Sequence, residues 1–173
     1  MVNAVAKQPI DLARAAAVAA SVPDPELPFM TVSDLGILRD VFIENDIVVA
    51  QVSPTYSGCP AVVVIEQSIL AALTEAGFNS RVQRMMSPAW TTDWITTEGR
   101  KKLRANGIAA PAAGRGTDNN PASEPILFSR ITVSCPQCDS DNTHKVSEFG
   151  STPCKAQYRC DSCGEPFDYF KCL

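Results

Sequence analysis

Four cysteines, Cys135, Cys138, Cys160 and Cys163, form two Cys-x-x-Cys pairs separated by 21 residues, and no other feature of the chain restricts its folding as tightly. Each pair is a short loop offering two soft thiolates. Two such loops brought together make a tetrahedral shell that suits Zn²⁺ and leaves no position open to a substrate, so the metal expected here is structural. A rubredoxin-like iron site satisfies the same spacing. Disulfide pairing would need an oxidising compartment, whereas the N-terminal residues lack the basic region, long apolar core and small-residue cleavage site of a secretory signal. Seven cysteines is also an odd number. Residues 126–133 are β-rich, residues 155–159 alternate polar and apolar, and Phe167, Tyr169 and Phe170 carry most of the local aromatic mass. So small a β-rich zinc ribbon cannot bury enough surface by itself. A structural zinc supplies roughly 10–16 kcal/mol of apparent binding free energy, which makes folding of the segment depend on the ion. Cys154 and Cys172 lie outside the pairs and read as small buried apolar side chains, with alternate ligation or redox chemistry as the other use of such thiols. His144, the only histidine, reads as a hydrogen-bonding surface residue rather than a ligand.

The 173 residues, 45% of them apolar, suffice for one ordinary core plus an appendage, which gives two modules. A net charge of −4 argues against general nucleic-acid binding, and no apolar run approaches a membrane span. A soluble cytoplasmic protein is expected, with neither nucleic acid nor membrane as partner. Ahead of the ribbon, residues 11–20 are alanine-rich and fit a helix with Asp11 as N-cap. A proline-rich connector, Pro23-Asp24-Pro25-Glu26-Leu27-Pro28, then presents two carboxylates. Residues 37–43 and 47–52 are β-branched runs that read as a hairpin, residues 61–76 are apolar at helical spacing and close at Gly77, residues 81–86 read as a strand, and residues 97–105 as a last helix. This order indicates an α+β domain over residues 1–106, a small sheet with helices on one face. Residues 107–125, rich in Ala, Gly, Pro, Asn and Ser, read as a flexible linker to a ribbon over residues 126–173.

Thr55-Tyr56-Ser57-Gly58-Cys59-Pro60 joins the second strand to the long helix. With proline at the first helical position, Cys59 falls near the N-cap, where N–H groups and the helix dipole favour a thiolate. Such a thiol can ligate iron transiently, accept a cluster or act as a nucleophile, or it can simply be buried beneath the turn. A nucleophile would lack a neighbouring base, since His144 lies in the ribbon. Asp24 and Glu26 are either solvated loop carboxylates or hard donors that complete an iron site with Cys59. Arg100, Lys101, Lys102 and Arg104 read as a solvated basic face or a docking patch. Trp90 and Trp94 read as core anchors or as an interface hot spot.

Asp24-Pro25-Glu26, the stretch Val32-Ser33-Asp34-Leu35-Gly36-Ile37, the Cys59 turn and Pro88-Ala89-Trp90 together resemble the iron–sulfur assembly (MIP18-like) domain. With the Trp90-Thr91-Thr92-Asp93-Trp94-Ile95 loop and the cysteine-rich ending added, the chain resembles the PaaD family, the D subunits of phenylacetyl-CoA epoxidase. The resemblance implies a compact α+β domain followed by a zinc ribbon. It also implies a non-catalytic accessory protein of phenylacetate degradation. The epoxidase such a protein serves has a di-iron oxygenase component and an iron–sulfur flavin reductase, and maturation of one of them is the implied task; a scaffold that holds the components together is the alternative. Carried over residue by residue, Cys59 is the implied iron- or cluster-handling thiol, with Asp24, Glu26 and Thr55 near it. One cysteine cannot hold a cluster alone, since clusters ordinarily take four thiolates. A homodimer around Cys59 is one way to double the sulfur count.

Overall fold

A computed structural model describes residues 9–56, 58–111 and 132–171. The first helix, α1 (Leu12–Ala20), starts where expected because the Asp11 carboxylate accepts the Arg14 backbone N–H at 2.9 Å. Its buried face carries only the small Ala15 and Ala19, which lets the helix lie close to the sheet. Strands β1 (Leu38–Glu44) and β2 (Ile47–Val52) form the antiparallel hairpin. Asn45 and Asp46 at its tip have φ of 49° and 62°; two consecutive left-handed residues make the turn whose twist matches a two-residue hairpin.

The chain then crosses over through α2 (Ala61–Glu75) to β3 (Ser80–Arg84), which pairs parallel to β2 and gives the order β1-β2-β3. Val48, Ala50 and Val52 alternate along β2 and share one buried cluster with Ile65, Ile69 and Leu73 of α2 and with Ala15 and Ala19 of α1. Both helices therefore cover the same face, as the period-3.6 pattern of α2 anticipates. Gly36 has φ of +67°, and a Cβ there would sit 2.4 Å from the Trp94 carbonyl oxygen. Only glycine fits that crossing.

The last helix, α3 (Thr97–Ala105), is capped by Thr96, whose hydroxyl accepts the Gly99 N–H at 2.9 Å. A second sheet follows in the order β4-β7-β6-β5, from β4 (Ile108–Ala109), β5 (Thr143–Ser147), β6 (Lys155–Cys160) and β7 (Pro166–Phe170). Here the expected linker over residues 107–125 begins differently. Ile108 and Ala109 pair in parallel with Asp168 and Tyr169 and are buried, because they close an otherwise open edge of the ribbon sheet. Residues 112–125 of that linker, and residues 126–131 of the expected β-rich run, lie outside the described residues.

The ribbon also shares a core with the first sheet. Cys154 and Phe170 belong to the same buried cluster as Leu35, Ile37, Trp90 and Ile65. The Trp90 and Phe170 rings meet edge to face at 6.2 Å and 72°, and the indole N–H donates to the Leu35 carbonyl at 2.9 Å. Such a pair adds about 0.5–1.5 kcal/mol beyond area burial. Trp94 is held differently, with the Arg39 guanidinium 3.5 Å from its ring centre. Both tryptophans thus act inside the molecule as anchors.

Candidate metal centres

Cys135, Cys138, Cys160 and Cys163 converge, with their sulfur atoms all within 4.8 Å of one another. The Cys135–Cys163 and Cys138–Cys160 sulfur separations are 3.8 and 3.6 Å. A tetrahedron with Zn–S bonds of about 2.3 Å has edges of about 3.8 Å, so the four residues fit zinc. Their backbone is shaped in advance. The Asp139 N–H donates to the Cys135 carbonyl at 3.0 Å, and the Gly164 N–H to the Cys160 carbonyl at 2.9 Å, so each pair closes its own knuckle. Gly164 takes φ of +79° to do so. Backbone N–H groups of Cys163 and Ser162 pull the Cys160 thiol down to about 6 while Cys138 and Cys163 are pushed up, so one thiol of the quartet leads toward the thiolate that a metal needs. Zinc bound by these four thiolates would supply cross-linking only, with no open position for chemistry. His144 stays outside, its Nδ1 3.0 Å from the Asp161 carboxylate.

The second set is looser and is assembled by three segments. The α1–β1 connector brings Asp24 and Glu26, the β2–α2 loop brings Thr55 and Cys59, and the turn just before β6 brings Cys154; all five line one cleft beside Phe170. Asp24 is buried, and its Oδ1 accepts the N–H groups of Glu26 and Leu27, each at 2.9 Å. That carboxylate shapes the turn which presents Glu26. Burial pushes its pKa up against those two hydrogen bonds and the nearby Lys155 ammonium. The Cys154 thiol donates to Glu26 Oε2 at 3.7 Å and lies 3.0 Å from the Thr152 hydroxyl. Burial pushes it up to about 11, opposed by Thr152 and reinforced by Glu26.

Cys59 is half-buried, and its protonation differs from the sequence expectation. Pro60, not Cys59, occupies the N-cap of α2, with a helical backbone and no capping side chain. Burial raises the Cys59 pKa and Glu26 adds to the rise, outweighing the Ala61 and Val62 N–H groups and the Thr55 hydroxyl that favour the thiolate. The thiol is therefore held protonated until something displaces the proton. Among the described residues, only the ribbon quartet has three or more candidate ligand atoms drawn within 4.8 Å, so the cleft is not a closed shell. Cys154 is the small buried side chain that its residue type suggests; its place opposite the first sheet has no local signal, because Glu26 is 128 residues away.

The basic run is neither a bare solvated face nor a free patch. Arg100 donates to the Thr92 carbonyl at 2.6 Å and also to the Pro111 carbonyl, Lys102 meets Asp34 at 2.6 Å, and Arg104 clasps the Asp139 carboxylate of the first knuckle at 2.6 and 2.7 Å. Helix α3 is thus tied to the ribbon by charge as well as by packing.

Two family models match separate stretches of the chain. Residues 13–82 match the family described as iron–sulfur cluster assembly protein, and residues 119–171 match the PaaD zinc beta ribbon domain. A protein of Escherichia coli (strain K12), provisionally named the D subunit of 1,2-phenylacetyl-CoA epoxidase, is 46% identical over 158 residues, spanning 91% of this chain and 90% of that protein. Among solved structures, a domain of unknown function from Bacillus anthracis matches 53% of this chain and 90% of its own at 24% identity and a TM-score of 0.49. A Mycobacterium tuberculosis protein associated with Fe–S complex assembly and repair matches 60% of this chain and 92% of its own at 32% identity and a TM-score of 0.32.

Proposed function

The chain belongs to the PaaD family of phenylacetyl-CoA epoxidase D subunits, with an iron–sulfur assembly domain and a zinc ribbon, and on that premise we propose that it is a non-catalytic maturation factor for the epoxidase, delivering iron or an iron–sulfur centre to the oxygenase or the reductase component. The observation that carries this reading is the position of Cys59. It is half-buried and lines a cleft together with Thr55, Glu26 and Asp24, rather than being sealed in hydrocarbon. A soft sulfur beside a hard carboxylate suits a borderline ion such as Fe²⁺. An open set of donors suits cargo that must be released.

In this reading the two metal centres have different duties. Zinc in the ribbon is resident and holds β5–β7 in place, which in turn holds Phe170 against Trp90. Cys59 takes cargo, giving up its proton as it binds and recovering one on release. The strip of exposed apolar residues on α2, Val63, Val64 and Leu70, lies on the helix that follows Cys59 and favours a client surface nearby.

The test is to express Cys59→Ser with the epoxidase components in cells, purify the oxygenase and the reductase, and measure their iron and acid-labile sulfide. One component is expected to lose most of its metal, while the variant keeps its zinc and its fold. Full loading of both components would reject maturation. If fully metallated components nonetheless needed the chain for turnover, the scaffold reading would replace it.

A further inference from the structure

We propose that Cys154, carried by the ribbon, is the second sulfur of a single-ion site in the cleft, facing Cys59 with Glu26 as the carboxylate donor. The inference rests on the maturation reading and extends it to a ligand that only the docked ribbon can supply.

Three observations point the same way. The cleft has a volume of about 20 Å³, room for one water-sized occupant and too little for a cluster. Its polar lining includes two thiols and two carboxylates, of which the Asp24 carboxylate is already engaged in its turn. Glu26 is the carboxylate in reach of the ribbon sulfur, since it accepts the Cys154 thiol at 3.7 Å, and it lines the same cleft as Cys59. Two soft sulfurs and one hard oxygen select a borderline divalent cation over Mg²⁺ or Ca²⁺. Binding releases one proton from each thiol to solvent and forms two metal–sulfur bonds, with no change of oxidation state.

Because Cys154 immediately precedes β6, this site exists only while the ribbon is seated on the first sheet. Tight binding then depends on ribbon docking, and undocking halves the sulfur count and releases the ion.

The probe is Co²⁺, added without oxygen to the zinc-loaded chain, with the thiolate-to-cobalt charge-transfer band as signal and elemental analysis to show that zinc remains. The wild-type chain is expected to take one further cobalt. Cys154→Ser and Cys59→Ser should each halve the band per bound cobalt and weaken binding at least tenfold, the low end of what removing even an outer group costs at about 10–100-fold. Glu26→Gln, which leaves the buried core untouched, should keep the band and weaken the affinity. Unchanged band and affinity in Cys154→Ser, or no further cobalt in the wild type, would overturn the proposal. Client loading separates this from the maturation reading. If Cys154→Ser still loads the client and Cys59→Ser does not, this inference fails while that reading stands, and loading by both variants removes both.

Discussion

The ribbon quartet and the Cys59 cleft are both sulfur sites in one chain, and they are built in opposite ways. In the ribbon, four identical donors are brought within 4.8 Å of one another by two knuckles that hydrogen-bond themselves shut. Little is left to rearrange, and loss of a bound ion is expected to cost the fold of the ribbon. In the cleft, three chain segments contribute unlike donors, the thiols are pushed toward their protonated forms, and the donors form no closed shell. Under the proposed function, the first arrangement would keep a metal and the second would return one. The two are nevertheless coupled, since Cys154 and Phe170 belong to the ribbon and complete the core around the cleft.

Stripping zinc gives the largest effect and sharpens the comparison most. Chelation, or Cys160→Ser, should remove roughly 10–16 kcal/mol of apparent metal-binding energy and unfold β5–β7. Trp90 fluorescence should change at the same time, because Phe170 leaves its ring. An unaltered Trp90 signal after zinc loss would break the coupling. Phe170→Ala comes next: its fully buried ring joins the two sheets, and a deletion of this kind costs about 3–5 kcal/mol, read as a lowered urea midpoint with zinc retained. Smaller still is the charge holding α3. Burial pushes the Asp34 carboxyl up, but the Lys102 ammonium and the Thr31 groups outweigh it and leave it below its ordinary value. The folded protein therefore binds this proton more weakly than the unfolded chain does. The contribution is present above a pH of about 4, the ordinary carboxylate value, and is lost as pH falls through the depressed one. Lys102→Met should be less stable than wild type at neutral pH, with the gap closing in acid; a gap constant with pH would contradict the assignment. The smallest effect belongs to the exposed Arg104–Asp139 pair, where Arg104→Ala should leave the melting temperature unmoved at high salt.

How much of this is legible in the sequence follows from range. The Asp11 cap, the Asn45-Asp46 turn, the extent of α2 and the zinc quartet are set by residues close in sequence or by ligand chemistry, and each is readable. Ile108 and Ala109 read as linker because two residues carry no periodicity; their strand is defined only by its pairing with Asp168 and Tyr169, far along the chain. The protonation of Cys59 departs from expectation for a related reason. The N–H groups at the start of α2 can be read locally, but the burial that outweighs them arises where segments distant in sequence, among them the connector and the ribbon, meet around the cleft. Cys154 belongs to the same class: its residue type is plain in the sequence, and its partners are not.

The central claim is that Cys59 handles iron at a site separate from zinc. The direct measurement is zinc and iron per chain in protein purified without oxygen, for the wild type and for Cys59→Ser. The account predicts a single zinc in both, with iron below one per chain in the wild type and none in the variant. Equal iron in the two, or zinc lost along with Cys59, would contradict it.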